Sequence, residues 1–260
     1  MQARVERFMP KLFLLILLEL LYFVPGWRLF AYEELDVRGV RIHYIVSGEG
    51  EPVVLIHGLH SSAAMNWEMP GIISMLSKGY QAIALDLPGH GQSDKPESPD
   101  GYGEQFVEDI VRLLDHLKIK KAHIVGYSMG GMVAVKLMTR HQERVLSAIV
   151  GGMGWLREES GLQKMWGRMP SRQGTRTPAA CVRSLGAFAV TREQLEAIRV
   201  PVVILVGERD PTKRLYVAPL EQVRKDWEVI EIQGAGHLNC IAKPQFKEEI
   251  KKWLDGHTKR

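Results

Sequence analysis

The chain has 260 residues, 45% of them hydrophobic and 25% charged, with a formal net charge of +4 at pH 7. That length suits one large α/β domain or two small ones, and that composition excludes a mostly disordered chain, a collagen and a coiled-coil rod. The mild positive charge comes without a dense Lys/Arg face or a base-reading motif, which excludes a dedicated nucleic-acid binder.

Residues 12–24 read LFLLILLELLYFV and follow Arg4, Arg7 and Lys11. A basic flank before an apolar run resembles a signal peptide, but no small-residue cleavage site comes after it. The run is short for a transmembrane helix, and Glu19 interrupts it. Four readings stay open: a helix in the membrane interface, an uncleaved signal anchor, a helix docked on the protein's own surface, and a removed signal. The expectation is that residues 1–30 attach the chain to a membrane, on the cytoplasmic or the cell-envelope side.

From Glu34 onward strand and helix alternate. Glu34–Val37 and Val40–Val46, joined at Arg38-Gly39, predict an antiparallel hairpin. Nearly continuous apolar runs then predict buried parallel strands at Pro52–His57, Gln81–Leu85, Ala122–Val125, Val145–Val150, Pro201–Val206 and Val229–Ile232. Helical periodicity covers Glu104–Leu117, Met129–His141, Leu215–Lys225 and Gln245–Leu254. The pattern predicts a doubly wound, mostly parallel α/β sheet, with its core in residues 31–154 and 201–260. Residues 155–200 interrupt the alternation without a convincing strand, and Thr191 with Gln194 forms a capping box for a short helix through Ile198. An insertion at the carboxyl ends of parallel strands lies over the ligand crevice, so this segment is expected to be a small helical lid.

The chemistry gathers at strand ends. After Ala122–Val125 comes Gly126-Tyr127-Ser128-Met129-Gly130-Gly131 and then a helix, the G-x-S-x-G pattern in its strand–turn–helix setting. Glycines allow the sharp turn that exposes the Ser128 hydroxyl, and the helix aims its amino terminus at developing negative charge. The strand Pro201–Val206 runs into Gly207-Glu208-Arg209-Asp210, and Val229–Ile232 runs into Gly234-Ala235-Gly236-His237. A serine hydroxyl needs a base, and the base needs a carboxylate to fix its tautomer. Ser128, His237 and Asp210 are the expected catalytic residues, with Glu208 as the second choice of acid. The Leu59 and Met129 amides are the expected oxyanion hole.

These motifs resemble the α/β-hydrolase superfamily, in its serine-nucleophile esterase and lipase-like branch, from about Glu34 to Leu254. The resemblance rests on His57-Gly58, Asp86-Leu87-Pro88-Gly89-His90-Gly91-Gln92-Ser93, the Ser128 elbow, Asp210 and His237, in the serine–acid–histidine order of that fold. It implies that His57, Asp86 and His90 are scaffold and that no metal or cofactor is needed. Relatives that open epoxides or displace halide carry aspartate at the elbow, so serine argues against both reactions.

Substrate is less legible. The lid carries Arg157, Lys164, Arg168, Arg172, Arg176, Arg183, Arg192 and Arg199 against Glu158, Glu159, Glu193 and Glu196, eight bases minus four acids. A solvated face fits, and so does a basic face toward anionic lipid headgroups or an anionic substrate. Met153, Trp155 and Trp166, with Met165 and Met169, are candidates for an apolar acyl pocket, or else simply pack. The expected activity is hydrolysis of a carboxylic ester, lipid-like in the favoured version. Acyl transfer, thioester, amide or carbon–carbon cleavage on the same residues, or ligand binding without catalysis, are the alternatives. The two cysteines, Cys181 and Cys240, have neither a disulfide framework nor a metal spacing and are expected to be free or buried thiols.

Overall fold

The computed structural model describes residues 32–169 and 177–258; the apolar run at residues 12–24 and lid residues Arg172 and Arg176 lie outside them. The strands are β1 (Tyr32–Val37), β2 (Val40–Ser47), β3 (Glu51–Ile56), β4 (Tyr80–Leu85), β5 (Ala122–Tyr127), β6 (Val145–Gly151), β7 (Val202–Gly207) and β8 (Glu228–Ile232). They form one sheet in the order β1-β2-β4-β3-β5-β6-β7-β8. β1 and β2 pair as an antiparallel hairpin with Val37 opposite Val40, β2 is antiparallel to β4, and the other pairs are parallel. Every residue of β5 and of β7 is buried, which is why these strands read as unbroken apolar runs rather than alternating ones.

The helices are α1 (Ile72–Leu76), α2 (Gln105–His116), α3 (Met129–His141), α4 (Gly161–Arg168), α5 (Ala179–Ser184), α6 (Arg192–Glu196), α7 (Ala218–Glu221) and α8 (Pro244–His257). α2 buries one stripe, including Phe106, Ile110 and Leu113. α3 is buried continuously from Met129 to Met138, because sheet and lid cover both its sides. Two turns of π-helix, Ala64–Glu68 and Lys213–Val217, complete the set.

Three sequence expectations need correction. The helix expected over Leu215–Lys225 is two pieces, Lys213–Val217 and α7, because Pro219 sits in the first turn of α7 and cannot continue the turn before it. The capping box at Thr191 and Gln194 is formed, but its helix ends at Glu196, short of Ile198. Residues 64–76 read as no element, yet hold a π-turn and α1, whose short segments show no usable period.

The lid is helical, with α4, α5, a 3₁₀ turn at Leu185–Phe188 and α6. Phe188 fastens it to the core by stacking on Phe106 at 6.0 Å, and Trp155 Nε1 braces it internally by donating to Val190 O at 2.9 Å. The buried Lys136 ammonium donates to Ala189 O at 3.1 Å and meets Glu104 at 2.7 Å, so its charge is paired rather than stranded. No helix among the described residues is long and apolar enough to cross a membrane.

The sheet order places the site. The chain passes from β3 outward to β4, then returns to the other side of β3 as β5. That reversal opens a crevice at the carboxyl ends of β3 and β5, where doubly wound sheets bind ligands. β3 ends next to His57-Gly58, and β5 ends next to Ser128.

Candidate active site

Ser128 sits at φ +55°, ψ −113°, between β5 and α3. A side chain at positive φ is strained, and here the neighbouring backbone enforces it. A Cβ on Gly130 would lie 2.0 Å from Ile56 O, and one on Gly126 would lie 2.1 Å from Gly130 O. The elbow therefore closes only with glycine at both places. The Ser128 amide donates to Gly151 O at 2.8 Å, which ties the elbow to β6.

Ser128, His237 and Asp210 are brought together although 109 and 27 residues separate the pairs. His237 Nε2 lies 2.9 Å from Ser128 Oγ, and His237 Nδ1 lies 2.8 Å from Asp210 Oδ2. With Nδ1–H donating to the carboxylate, Nε2 presents its lone pair to the serine hydroxyl. Burial alone would raise the Asp210 carboxyl, but hydrogen bonds from His237 and Thr212 hold it below the ordinary carboxylate range. The Thr212 amide donates to Asp210 Oδ1 at 2.8 Å, so both carboxylate oxygens are engaged. Glu208, the second choice of acid, points elsewhere: its carboxylate accepts the Gly234 amide at 2.8 Å. The loops after β7 and β8 are joined through backbone, Glu208 N–H to Ile232 O at 3.0 Å and Arg209 N–H to Ala235 O at 2.8 Å.

A cavity of about 350 Å³ opens beside Ser128 and His237, with Leu59, Met65, Asn66, Leu238 and Ile241 in its walls. A larger open groove, about 700 Å³, runs along α8 and holds none of these reactive groups. Leu59 lines the cavity, and Met129 is the first residue of α3, so its N–H has no carbonyl one turn below it in the helix. The sequence-based acyl pocket is not there. Met153 and Trp155 are buried in the core, Trp166 Nε1 donates to Tyr216 Oη at 3.0 Å, and none of the three lines the cavity. Met153 directly follows β6, and Trp155 and Trp166 belong to the lid, where all three serve packing.

Two contributors escaped the sequence. Asn66 Oδ1 accepts the Gly58 amide at 2.8 Å and fixes the turn that carries Leu59. Tyr127 donates its hydroxyl to the His237 carbonyl, and its ring stacks on the imidazole at 5.6 Å. Phe246 closes the other side of that ring at 5.7 Å, and Gly151 and Gly152 leave the space it fills. The position before the elbow serine was the only signal for Tyr127; nothing local pointed to Asn66.

His57 is scaffold. Its Nε2 accepts the Leu87 amide at 3.0 Å, its Nδ1 donates to Gly58 O at 2.8 Å, and burial lowers its pKa. Asp86 accepts the Ala63 and Gln92 amides at 2.7 and 2.9 Å. His90 is buried, with its Nδ1 against Pro88 O, and its pKa is pushed well down by burial. Cys181 and Cys240 are free and buried, and burial pushes both thiols up to about 12. Among the described residues no group of three or more His, Cys, Asp or Glu side chains is placed to hold a metal ion.

Comparison with known proteins agrees with this fold. Residues 51–194 match the family model of the alpha/beta hydrolase fold. The 2-hydroxymuconate semialdehyde hydrolase of Pseudomonas sp. (strain CF600) is 30% identical over 197 residues, 73% of this chain and 67% of its own length. An uncharacterised carboxylesterase, nap, of Bacillus subtilis (strain 168) is 25% identical over 270 residues, 86% of each chain. Among solved structures, a meta-cleavage product hydrolase from Pseudomonas fluorescens IP01 superposes with a TM-score of 0.71 at 26% identity, over 87% of this chain and 98% of that one. Several other curated relatives are spanned over less than about half of their length. The chain belongs to the α/β-hydrolase fold family.

Proposed function

We propose that this chain is a serine hydrolase that cleaves carboxylic esters through an acyl-enzyme on Ser128. The observation that carries the reading is the continuous hydrogen-bonded line from Ser128 Oγ through His237 to Asp210 at the mouth of a cavity. Ser128 Oγ attacks the ester carbonyl while His237 Nε2 takes its proton. The developing imidazolium is stabilised by Asp210, and the tetrahedral oxyanion by the Leu59 and Met129 amides. His237 then gives the proton to the leaving alkoxide, so that the alcohol departs and the acyl group stays on Ser128. Water, deprotonated by His237, attacks that acyl group; the carboxylic acid leaves and Ser128 regains its proton. These steps need no cofactor.

Carbon–carbon cleavage is the second reading, supported by the names of the Pseudomonas relatives. The walls of the cavity favour the ester. Among the described residues they contain no Arg or Lys, and Leu59, Met65, Leu238 and Ile241 suit an apolar acyl chain. The test is hydrolysis of nitrophenyl esters from acetate to palmitate by the wild type and Ser128→Ala side by side. The wild type is expected to cleave with a chain-length optimum, and the variant to lose at least about a thousandfold. Equal rates for the two proteins, or no cleavage of any ester, would overturn the reading.

A further inference from the structure

We propose that the rim of the Ser128 cavity docks on a lipid surface, from which an apolar ester passes directly into the site. This deepens the ester reading and rests on it for the identity of the substrate.

Five large hydrophobic side chains stand exposed among the described residues: Met65, Met69, Met165, Leu215 and Leu238, with Leu238 93% and Met69 80% accessible. All five belong to segments that follow the carboxyl ends of parallel strands. Met65 and Met69 follow β3, Met165 follows β6, Leu215 follows β7 and Leu238 follows β8. Met65 and Leu238 are walls of the cavity itself. The lid and the acid loop meet each other, since Trp166, next to Met165, donates to Tyr216, next to Leu215. No large hydrophobic side chain among the described residues is exposed at the opposite, amino end of the strands. Exposure gathered on the segments after the carboxyl ends of the strands, with two of the five side chains in the walls of the Ser128 cavity, marks a contact surface rather than scattered surface apolarity.

The occupant is argued from charge and from the chain before the sheet. Lys164 and Arg168 lie one turn apart on α4 with Met165 between them, and Arg214 adjoins Leu215; all three cations are exposed. Apolar side chains among cations suit the boundary between acyl chains and anionic headgroups. Tyr32, the first described residue, donates its hydroxyl to Glu68 at 3.1 Å, between Met65 and Met69 in sequence. The sequence leading into Tyr32 carries the run LFLLILLELLYFV. The strand that this run precedes is therefore pinned at the rim.

The test uses the full chain reconstituted in phosphatidylcholine–phosphatidylglycerol vesicles that carry a lipid-borne fluorescence quencher. Cys181 and Cys240 are buried, so a fluorophore can be placed on Met69→Cys or, as the control at the amino end of β5, on Lys120→Cys. The label at residue 69 is expected to lose about half or more of its emission and the label at 120 to keep it. Equal emission changes at both positions, or a chain that does not sediment with the vesicles, would overturn the proposal. A second arm uses Met69→Glu with Leu215→Glu, neither of which lines the cavity. This variant is expected to hydrolyse a dissolved acetate ester at the wild-type rate and a vesicle-borne palmitate ester about tenfold more slowly. Equal loss on both substrates, or none on the vesicle, contradicts docking. Failure of the ester reading looks different: the wild type would cleave neither substrate, and the quenching arm would still decide docking.

Discussion

His57 and His237 each follow the carboxyl end of a parallel strand, and each has an aspartate nearby that follows another, Asp86 after β4 and Asp210 after β7. Around His57 the hydrogen-bond partners among the described residues are main chain: the Leu87 amide and the Gly58 carbonyl take the ring, and the Ala63 and Gln92 amides take the Asp86 carboxylate. Around His237 the ring nitrogens face side chains, Asp210 on one side and the Ser128 hydroxyl on the other, and 29% of the side chain is open to solvent. The same residue types thus build a turn in one place and a side-chain hydrogen-bonded line to a serine hydroxyl in the other. The difference lies in what each nitrogen faces. A ring committed on both nitrogens to buried backbone has no lone pair for a substrate proton, whereas His237 keeps Nε2 at the cavity.

Three substitutions sharpen or break this contrast. The largest effect is expected from Asp210→Asn, which leaves the shape but removes the charge and the tautomer control; kcat on a soluble ester should fall about ten-thousandfold. A loss no greater than that of His57→Gln would erase the distinction between the two neighbourhoods. Tyr127→Phe comes next. It keeps the ring stacked on His237 but removes the hydroxyl that holds the His237 carbonyl. About a tenfold fall in kcat with little change in KM is expected, because a displaced base weakens the transition state more than the ground state. An unchanged kcat would mean that the stacked ring alone positions the imidazole.

The smallest effect on rate is expected from His57→Gln, read instead in stability. Its loss should lower stability by about 1–3 kcal/mol at neutral pH, with kcat within about twofold of wild type. The sign with pH follows from burial. The native His57 ring has its pKa lowered from 6.5, so below that pH the unfolded chain takes up a proton that the native ring resists. Stability is therefore complete above about pH 6.5 and falls as pH drops toward the native value. His90, also pushed down by burial, contributes in the same direction, so the variant should show a shallower, not flat, decline of Tm with acidification. A slope identical to that of wild type would show that His57 does not carry this linkage.

Much of this arrangement was legible in the sequence because each reactive residue sits in a short local pattern at a strand end. The elbow needs glycines at 126 and 130, and the serine and acid loops follow apolar runs whose burial on both faces removes any alternation; β8, before the histidine loop, was expected to be buried in the same way but is a partly exposed edge strand. What was not legible depends on contacts between distant residues. Asn66 acts through a turn of π-helix that has no sequence period, and the Tyr127 hydroxyl reaches a carbonyl 110 residues away. Met153, Trp155 and Trp166 read as pocket because they are apolar and near a strand end. Where each would pack was a matter of tertiary structure: the core took Met153 and Trp155, and Trp166 lies half-buried against it with its Nε1 on Tyr216.

The central claim is that Ser128 is an activated nucleophile served by His237. Reaction of the full chain with a fluorophosphonate, followed by peptide mass spectrometry, tests it most directly. One adduct on the peptide carrying Ser128 is expected in the wild type and in His57→Gln, with none in Ser128→Ala. An unmodified wild-type chain, or an adduct that persists in Ser128→Ala, would contradict the account.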